Sequence, residues 1–318
     1  MTDTHRPTWR RRLMFGGAAA GALASLGVLG RASAQAAAPL RVGSKIDTEG
    51  ALLGQLILQL LQAERIAVQN RLQLGNTQIV RSALLAGEID LYPEYTGNGA
   101  FFHADDRNPA WKNLQQGWQR IRTLDQDKHR LVWLAPAPAN NTWAIAVRRD
   151  LADAHQLRSL ADLARYLAGG GRLRLAASAE FAERADALPA FQTAYGFVLK
   201  RDQLLLLAGG DTAATIKAAA EQTSGVNAAM AYGTDGPVAA LGLVVLDDPK
   251  GVQPVYAPAP VVRADVLARQ PRLAAVLEPL FKTLDTATLQ RLNAQIALEG
   301  REARQVAAAY LKSKGLVK

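Results

Sequence analysis

The segment GEIDLYPEYTG, residues 87 to 97, runs from an apolar strand pattern straight into two tyrosines, a proline and a carboxylate with no polar spacer. Such a stretch presents rings, and it predicts a ring-bearing loop at the end of a short strand, Ile89 to Tyr92, at the mouth of an α/β unit. Ring faces are electron-rich and attract cations, above all quaternary ammonium groups, which have no N–H to donate. Other chemistries find little support. There is no GxSxG nucleophile elbow, no GxxxxGK phosphate loop and no complete GxGxxG fingerprint, Gly97 and Gly99 being followed by Phe102. Of the four histidines, His5 lies in the leader, and His103, His129 and His155 lack the paired spacing of a metal site. With no cysteine the chain has no thiolate nucleophile, disulfide or cysteine metal site. These absences argue against an enzyme and imply no cofactor and no metal.

The elements that position the rings begin after a leader. Arg10, Arg11 and Arg12 precede a weakly apolar run rich in Gly and Ala, and Ala32, Ser33 and Ala34 supply a small-residue cleavage site. Residues 1–34 therefore read as an export signal peptide, its apolar run shorter than the roughly 20 residues of a spanning helix. The RRRLM pattern resembles a twin-arginine signal, with the general secretory route as the alternative. No lipobox cysteine is present, so the expectation is a soluble, unanchored periplasmic protein. The formal charge of +9 falls to about +5 for residues 35–318, because the leader holds five Arg and one Asp. The remaining basic residues are scattered among acidic ones, which excludes a nucleic-acid stripe.

From Arg41 the pattern reads strand, helix, strand, helix, strand. The first helix carries Leu52, Leu53, Leu56, Ile57, Leu60 and Leu61 at spacings of three and four behind an N-cap at Asp47 or Thr48. A polar amphipathic helix follows from about Trp111 to Asp127, then an apolar strand from Leu131 and the breaker-rich APAPANN. Thr142 to Val147 reads as a strand crossing to a second lobe, where strand and helix alternate again up to Ala231. The extended VYAPAPVVR from Val255 returns the chain, and the tail from Ala264 is helical. The fold class is α/β, two lobes each with a small, mostly parallel sheet flanked by helices and joined by two crossings. The expected divisions are 35–142 for the first part of lobe I, 143–253 for lobe II and 254–318 for the return to lobe I. Two lobes and two crossings make a cleft that can close on a ligand.

GSK at 43–45, GEIDLYPEYTG, LVWLAPAPANNTWAIAVR at 131–148, FAERADALP at 181–189, YGTDG at 232–236 and VVLDD with the following YAPAPVVR together resemble one family in order and spacing. It is the periplasmic solute-binding proteins of osmoprotectant ABC importers, which take glycine betaine, choline, carnitine and related quaternary ammonium compounds. The resemblance implies a type II periplasmic-binding-protein fold and a monomer that delivers its ligand to an ABC permease in the inner membrane. It also implies an aromatic box of Tyr95, Trp143, Tyr232 and Tyr256, with Lys45 and Arg184 as partners for a ligand carboxylate. Asn98 stands where many members have a threonine or serine that touches that carboxylate, Trp143 replaces a commoner tyrosine, and Ala187 replaces a usual glycine. Tyr92 is left to packing, Glu94 to capping or orienting its loop, and Asp235 to a turn. The alternatives within the fold are an amino acid, a polyamine, an ergothioneine-like betaine, or a ligand sensor.

Overall fold

The computed structural model describes residues 38–208 and 211–318. The signal peptide expected at 1–34 lies outside the described residues. Among the described residues, ten strands form two five-stranded sheets. In chain order they are β1 (Leu40–Lys45), β2 (Val68–Gly75), β3 (Leu91–Tyr95), β4 (Leu131–Trp133), β5 (Trp143–Arg148), β6 (Leu175–Ser178), β7 (Leu204–Leu207), β8 (Ala228–Tyr232), β9 (Leu243–Val245) and β10 (Pro258–Arg263). The first sheet runs β2-β1-β3-β10-β4 and the second β7-β6-β8-β5-β9. In the first, β1 is parallel to β2 and β3, while β10 is antiparallel to β3 and β4. The second repeats this scheme, β6 parallel to β7 and β8 and β5 antiparallel to β8 and β9. Each sheet is thus mixed, since a strand arriving from the other sheet enters against the local βαβ direction.

The helix Thr48–Ala63 forms where its pattern places it. Asp47 is the N-cap, accepting from the Gly50 N–H at 2.7 Å. Leu52, Leu53, Leu56, Ile57, Leu60 and Leu61 are buried in one cluster with Leu273, Leu277, Phe281, Leu289 and Leu311 from the C-terminal helices Leu273–Phe281, Thr286–Ala297 and Ala303–Ser313. The tail therefore packs on the first sheet's helix. Gly54 allows the close approach: a Cβ there would stand 2.6 Å from Leu72 Cδ2 and 3.0 Å from Ser44 Cβ.

The third strand departs from expectation. It spans Leu91–Tyr95, not Ile89 to Tyr92, so Tyr95 stands on the strand with Tyr92 and not in a loop after it. Its partner is β10, more than 160 residues downstream. Pro93 faces Pro260, three residues from the bond that Thr96 N donates to Ala257 O. That odd step puts the two prolines at a non-hydrogen-bonded pair, where their missing N–H groups remove no rung between the strands. Tyr92 and Tyr95, an odd number apart, point to opposite faces. Tyr92 is buried with Trp111, Trp133 and Val261, and Tyr95 with Leu91 and Tyr256.

Smaller differences are local. The polar helix is Leu114–His129, and Trp111 falls in a preceding 3-10 turn, Pro109–Lys112. The helical stretch near Pro189 divides into Ala179–Glu183 and Leu188–Tyr195, with Pro189 in the first turn of the second helix, where its missing N–H costs nothing. A short helix, Arg149–His155, was not expected.

Beneath the first sheet lies a buried ion pair. Arg81 donates from both terminal nitrogens to Asp125, at 2.7 and 2.5 Å, and Trp133 Nε1 adds a third bond at 2.7 Å. Burial, the largest influence, pushes the Asp125 carboxyl up, but the Arg81 hydrogen bonds and charge outweigh it and hold the group below the ordinary carboxylate range. Asp125→Ala strands the guanidinium without a counter-charge and is expected to cost about 3 to 5 kcal/mol in urea unfolding. Asp150→Ala, at the exposed Arg148 pair, is expected to cost under about 1 kcal/mol in the same measurement.

Candidate ligand-binding site

Five strand ends or crossings converge at one gap between the sheets. Lys45 closes β1, Tyr95 closes β3, Trp143 opens β5, Tyr232 closes β8, and Tyr256 stands two residues before β10. Trp143 and Tyr232 are direct partners across β5 and β8, so their side chains leave the same face of the sheet. Their rings are nearly parallel, 19° apart with centroids 6.4 Å apart. Tyr256 tilts toward Trp143 at 5.9 Å and 43°. It reaches that position because position 97 is glycine: a Cβ there would meet the Tyr256 ring at 2.8 Å.

The four rings line a single cavity together with Lys45 and Asn98. Six of the seven residues singled out in the sequence are thus brought together, and Arg184 is not among those lining the space. Its guanidinium packs over Trp143, 4.5 Å from that ring's centroid, and 4.2 Å from that of Phe101.

Neither expected cation stands alone. Lys45 Nζ is 2.7 Å from Glu94 Oε1 and 4.6 Å from the centroid of the Tyr95 ring. Glu94 is fully buried and also accepts from Tyr95 N (2.7 Å), Asn98 Nδ2 (2.8 Å) and the Tyr92 hydroxyl (2.9 Å). Arg184 gives Nε and Nη2 to Asp186, Nη1 to Glu180 and a further Nη2 bond to Asn98 Oδ1, all between 2.6 and 2.9 Å. Asn98 consequently spans the gap, its amide nitrogen on Glu94 of the first sheet and its oxygen receiving Arg184 of the second.

Several participants carry no motif signal. Glu49, in the first turn of the helix after β1, is buried and accepts from the Tyr95 hydroxyl (2.8 Å), Asn141 Nδ2 (3.0 Å) and Asn293 Nδ2 (2.7 Å). Burial pushes its carboxyl up against the hydrogen bonds from Asn293 and Tyr95. Asp47 and Glu180 line the cavity, and burial raises Asp47 while the Lys45 charge pulls it down. Asn141 Oδ1 and the Tyr256 hydroxyl are buried with no partner among the described residues. Sequence reasoning could have flagged Glu49 only as an acid near a helix N-terminus, since its partners lie 46, 92 and 244 residues away.

A metal is poorly served by the donors present. Among the described residues one group, His103, Asp125 and His129, places ligand atoms within 4.8 Å of one another. Both Asp125 oxygens are already committed to Arg81, and that guanidinium repels a second cation. The set fits an ion pair better than a metal.

Residues 38–313 match the family described as the substrate binding domain of the ABC-type glycine betaine transport system. The chain belongs to this family. It is 65% identical over 284 residues to the glycine betaine-binding protein YehZ of Escherichia coli (strain K12), covering 89% of this chain and 93% of that one. It is 33% identical over 303 residues to a glycine-betaine-binding protein of Pseudomonas aeruginosa, covering 93% and 94%. The solved apo structure of YehZ aligns with a TM-score of 0.65 over 88% of this chain and all of that one. A crystal structure of a glycine betaine/carnitine/choline ABC transporter component, 23% identical, aligns with a TM-score of 0.68 over 87% and 99%, a likeness of fold. The two-sheet architecture is accordingly that of the type II periplasmic binding proteins. Members of this family of substrate-binding proteins are not enzymes; they bind small ligands and deliver them to a permease.

Asp235 supplies a pH test of the second sheet's rim. Its carboxylate accepts from Tyr232 N (2.6 Å) and Thr212 Oγ1 (2.8 Å), but burial, aided by Glu49 and Asp211, pushes it up to about 7. The folded state therefore holds a proton that the unfolded state has released, so this group's contribution is full below about pH 4 and lost as pH rises through about 7. Asp235→Asn is expected to melt above the wild type at about pH 8, with the gap closing toward about pH 4, as read by calorimetric melting across pH.

Proposed function

We propose that this chain is the periplasmic solute-binding component of an ABC importer and captures quaternary ammonium osmoprotectants such as glycine betaine or choline in the aromatic cavity. The observation that carries the reading is the convergence of Tyr95, Trp143, Tyr232 and Tyr256 on one space. A methylated cation offers no N–H, so hydrogen-bonding sites hold it poorly, whereas each ring face contributes about 1 to 2 kcal/mol once water is excluded. The chemistry matches what the names of the Escherichia coli and Pseudomonas relatives say of those proteins.

In this reading the first sheet with its C-terminal helices is one lobe, 35–142 with 254–318, and the second sheet is the other, 143–253. The site residues are Tyr95, Trp143, Tyr232 and Tyr256 around the methylammonium head, with Lys45, Asn98 and Arg184 fixing the walls. The protein acts as a monomer, exported by the leader at 1–34 and released into the periplasm, where the ligand-bound form is read by an inner-membrane permease. A ligand that bridges both lobes shifts the population toward that form by its differential affinity for it. Within the described residues no helix is long and apolar enough to cross a membrane.

A thermal-shift panel of glycine betaine, choline, carnitine, proline betaine and ordinary amino acids tests this. The quaternary amines are expected to raise the melting temperature, and the gain should survive high salt, because a desolvated cation against rings is screened little. Tyr256→Ala or Trp143→Ala should weaken binding about 5- to 30-fold by calorimetry, the loss of one ring face. A shift by amino acids alone would remove the reading.

A further inference from the structure

Glu49 is a buried acid whose three side-chain bonds all come from neutral donors: the Tyr95 hydroxyl and Asn141 Nδ2 on Oε1, and Asn293 Nδ2 on Oε2. An interior carboxyl served in this way costs stability relative to a well-packed apolar side chain. What it supplies instead is two oxygens that gather donors from distant parts of the chain. Glu49 does not line the cavity, so any effect it has on binding passes through those donors.

Each donor stands beneath a ring. Tyr95 is held by its own hydroxyl. Asn141 gives its backbone N–H to the Tyr256 carbonyl at 2.9 Å, Tyr256 N donates in turn to Asn140 Oδ1 at 2.8 Å, and Trp143 follows two residues on. Asn293 belongs to Thr286–Ala297, packed on the first sheet's helix, yet its Nδ2 also donates to the Thr234 carbonyl at 3.1 Å, two residues beyond Tyr232 of the second sheet. This amide is the joint between the two walls. Its nitrogen carries two hydrogens and faces two acceptors, one on either side, so a reversed amide would turn its oxygen toward both and the orientation is fixed. The Oδ1 atoms of Asn293 and Asn141 are buried with no partner among the described residues, so each amide is aimed by its nitrogen end alone. Without the Glu49 carboxylate, Asn141 loses the bond that aims it and Asn293 keeps only the Thr234 carbonyl.

Resting on the reading of the cavity as a quaternary ammonium site, we infer that Glu49 is a positioning residue for ligand capture: it aims the Tyr95 ring and, through Asn293, ties that ring to the Tyr232 loop of the opposite wall. The link crosses the gap and must break before the walls separate, so its effect falls on the departure of the ligand and not on its arrival or its chemical class.

Glycine betaine, with choline as second probe, tests this by isothermal titration and by stopped-flow tryptophan fluorescence. Glu49→Gln keeps the shape but has one oxygen for three donors, and its amide nitrogen confronts at least one of them; affinity is expected to fall about 10-fold or more, with dissociation faster by a similar factor and association changed less than about 2-fold. Tyr95→Phe keeps the ring face and loses only the hydroxyl, for a loss of about 3-fold or more. The double variant should bind within about 2-fold of Glu49→Gln, because the hydroxyl acts through the carboxylate. A carboxyl that merely supported the fold would lower the melting temperature of the ligand-free protein and leave these two losses to multiply. Losses that multiply, or wild-type affinity in folded Glu49→Gln, overturn the inference while binding by the wild type keeps the site reading standing. Where Glu49→Gln does not fold, Asn293→Ala cuts only the joint: dissociation faster by about 3-fold or more supports the inference and unchanged dissociation overturns it. Failure of the wild type to bind either compound removes the site reading itself, and the inference with it.

Discussion

A buried carboxylate, Glu94, is the point on which the site's geometry depends. It has no solvent to share its charge, so its two oxygens must be satisfied by what surrounds them, and four donors converge to do so: Lys45, Asn98, Tyr92 and the backbone N–H of Tyr95. That demand fixes the end of β1 against the end of β3 and sets the direction in which Tyr95 leaves the strand. Through Asn98 it also reaches Arg184, whose own bonds to Asp186 and Glu180 orient the break between Ala179–Glu183 and Leu188–Tyr195. Removing the carboxylate would leave a lysine buried without compensation, the costly half of any interior ion pair.

This arrangement separates two roles that cations in such a cavity can play. Charges that hold walls together are spent on the protein, and charges that attract ligand must be left over. Here both cations hold walls: Lys45 pairs with Glu94, and Arg184 with Asp186, Glu180 and Asn98. Contacts between the sheets at the cavity's edge are themselves polar: Thr48 to Asp211 at 3.1 Å, Asn293 to the Thr234 carbonyl at 3.1 Å, and Gln290 to the Gly233 carbonyl at 2.9 Å. Polar contacts lose little when exchanged for water, so the two halves are held by many small terms and not by a shared apolar core.

Much of the fold was legible because it is encoded locally. The leucines of Thr48–Ala63 repeat at helical spacing, the Asp47 cap precedes them, and the alternation of strand and helix announces two α/β units. What escaped was long-range or too short to have a period. The extent of β3 is decided by β10, and Arg149–His155 has no apolar stripe to reveal it. The rings of the site were readable as residue types in register with a family pattern. The charge partners were not: Asp186 and Glu180 stand within four residues of Arg184, yet whether a neighbouring carboxylate turns toward a guanidinium depends on the backbone break between the two helices. The bond between Glu49 and Asn141, made across 92 residues, left no trace in the pattern.

The pairing of Trp143 with Tyr232 has a kinetic corollary. Both rings are rooted at one rung of the same sheet, so their spacing is a property of β5 and β8 and survives any excursion of one half of the molecule away from the other. Half of the cage is therefore a standing landing pad. On the proposed reading of the cavity, the spacing of this pair does not wait on the opposite wall, which Tyr95 and Tyr256 supply.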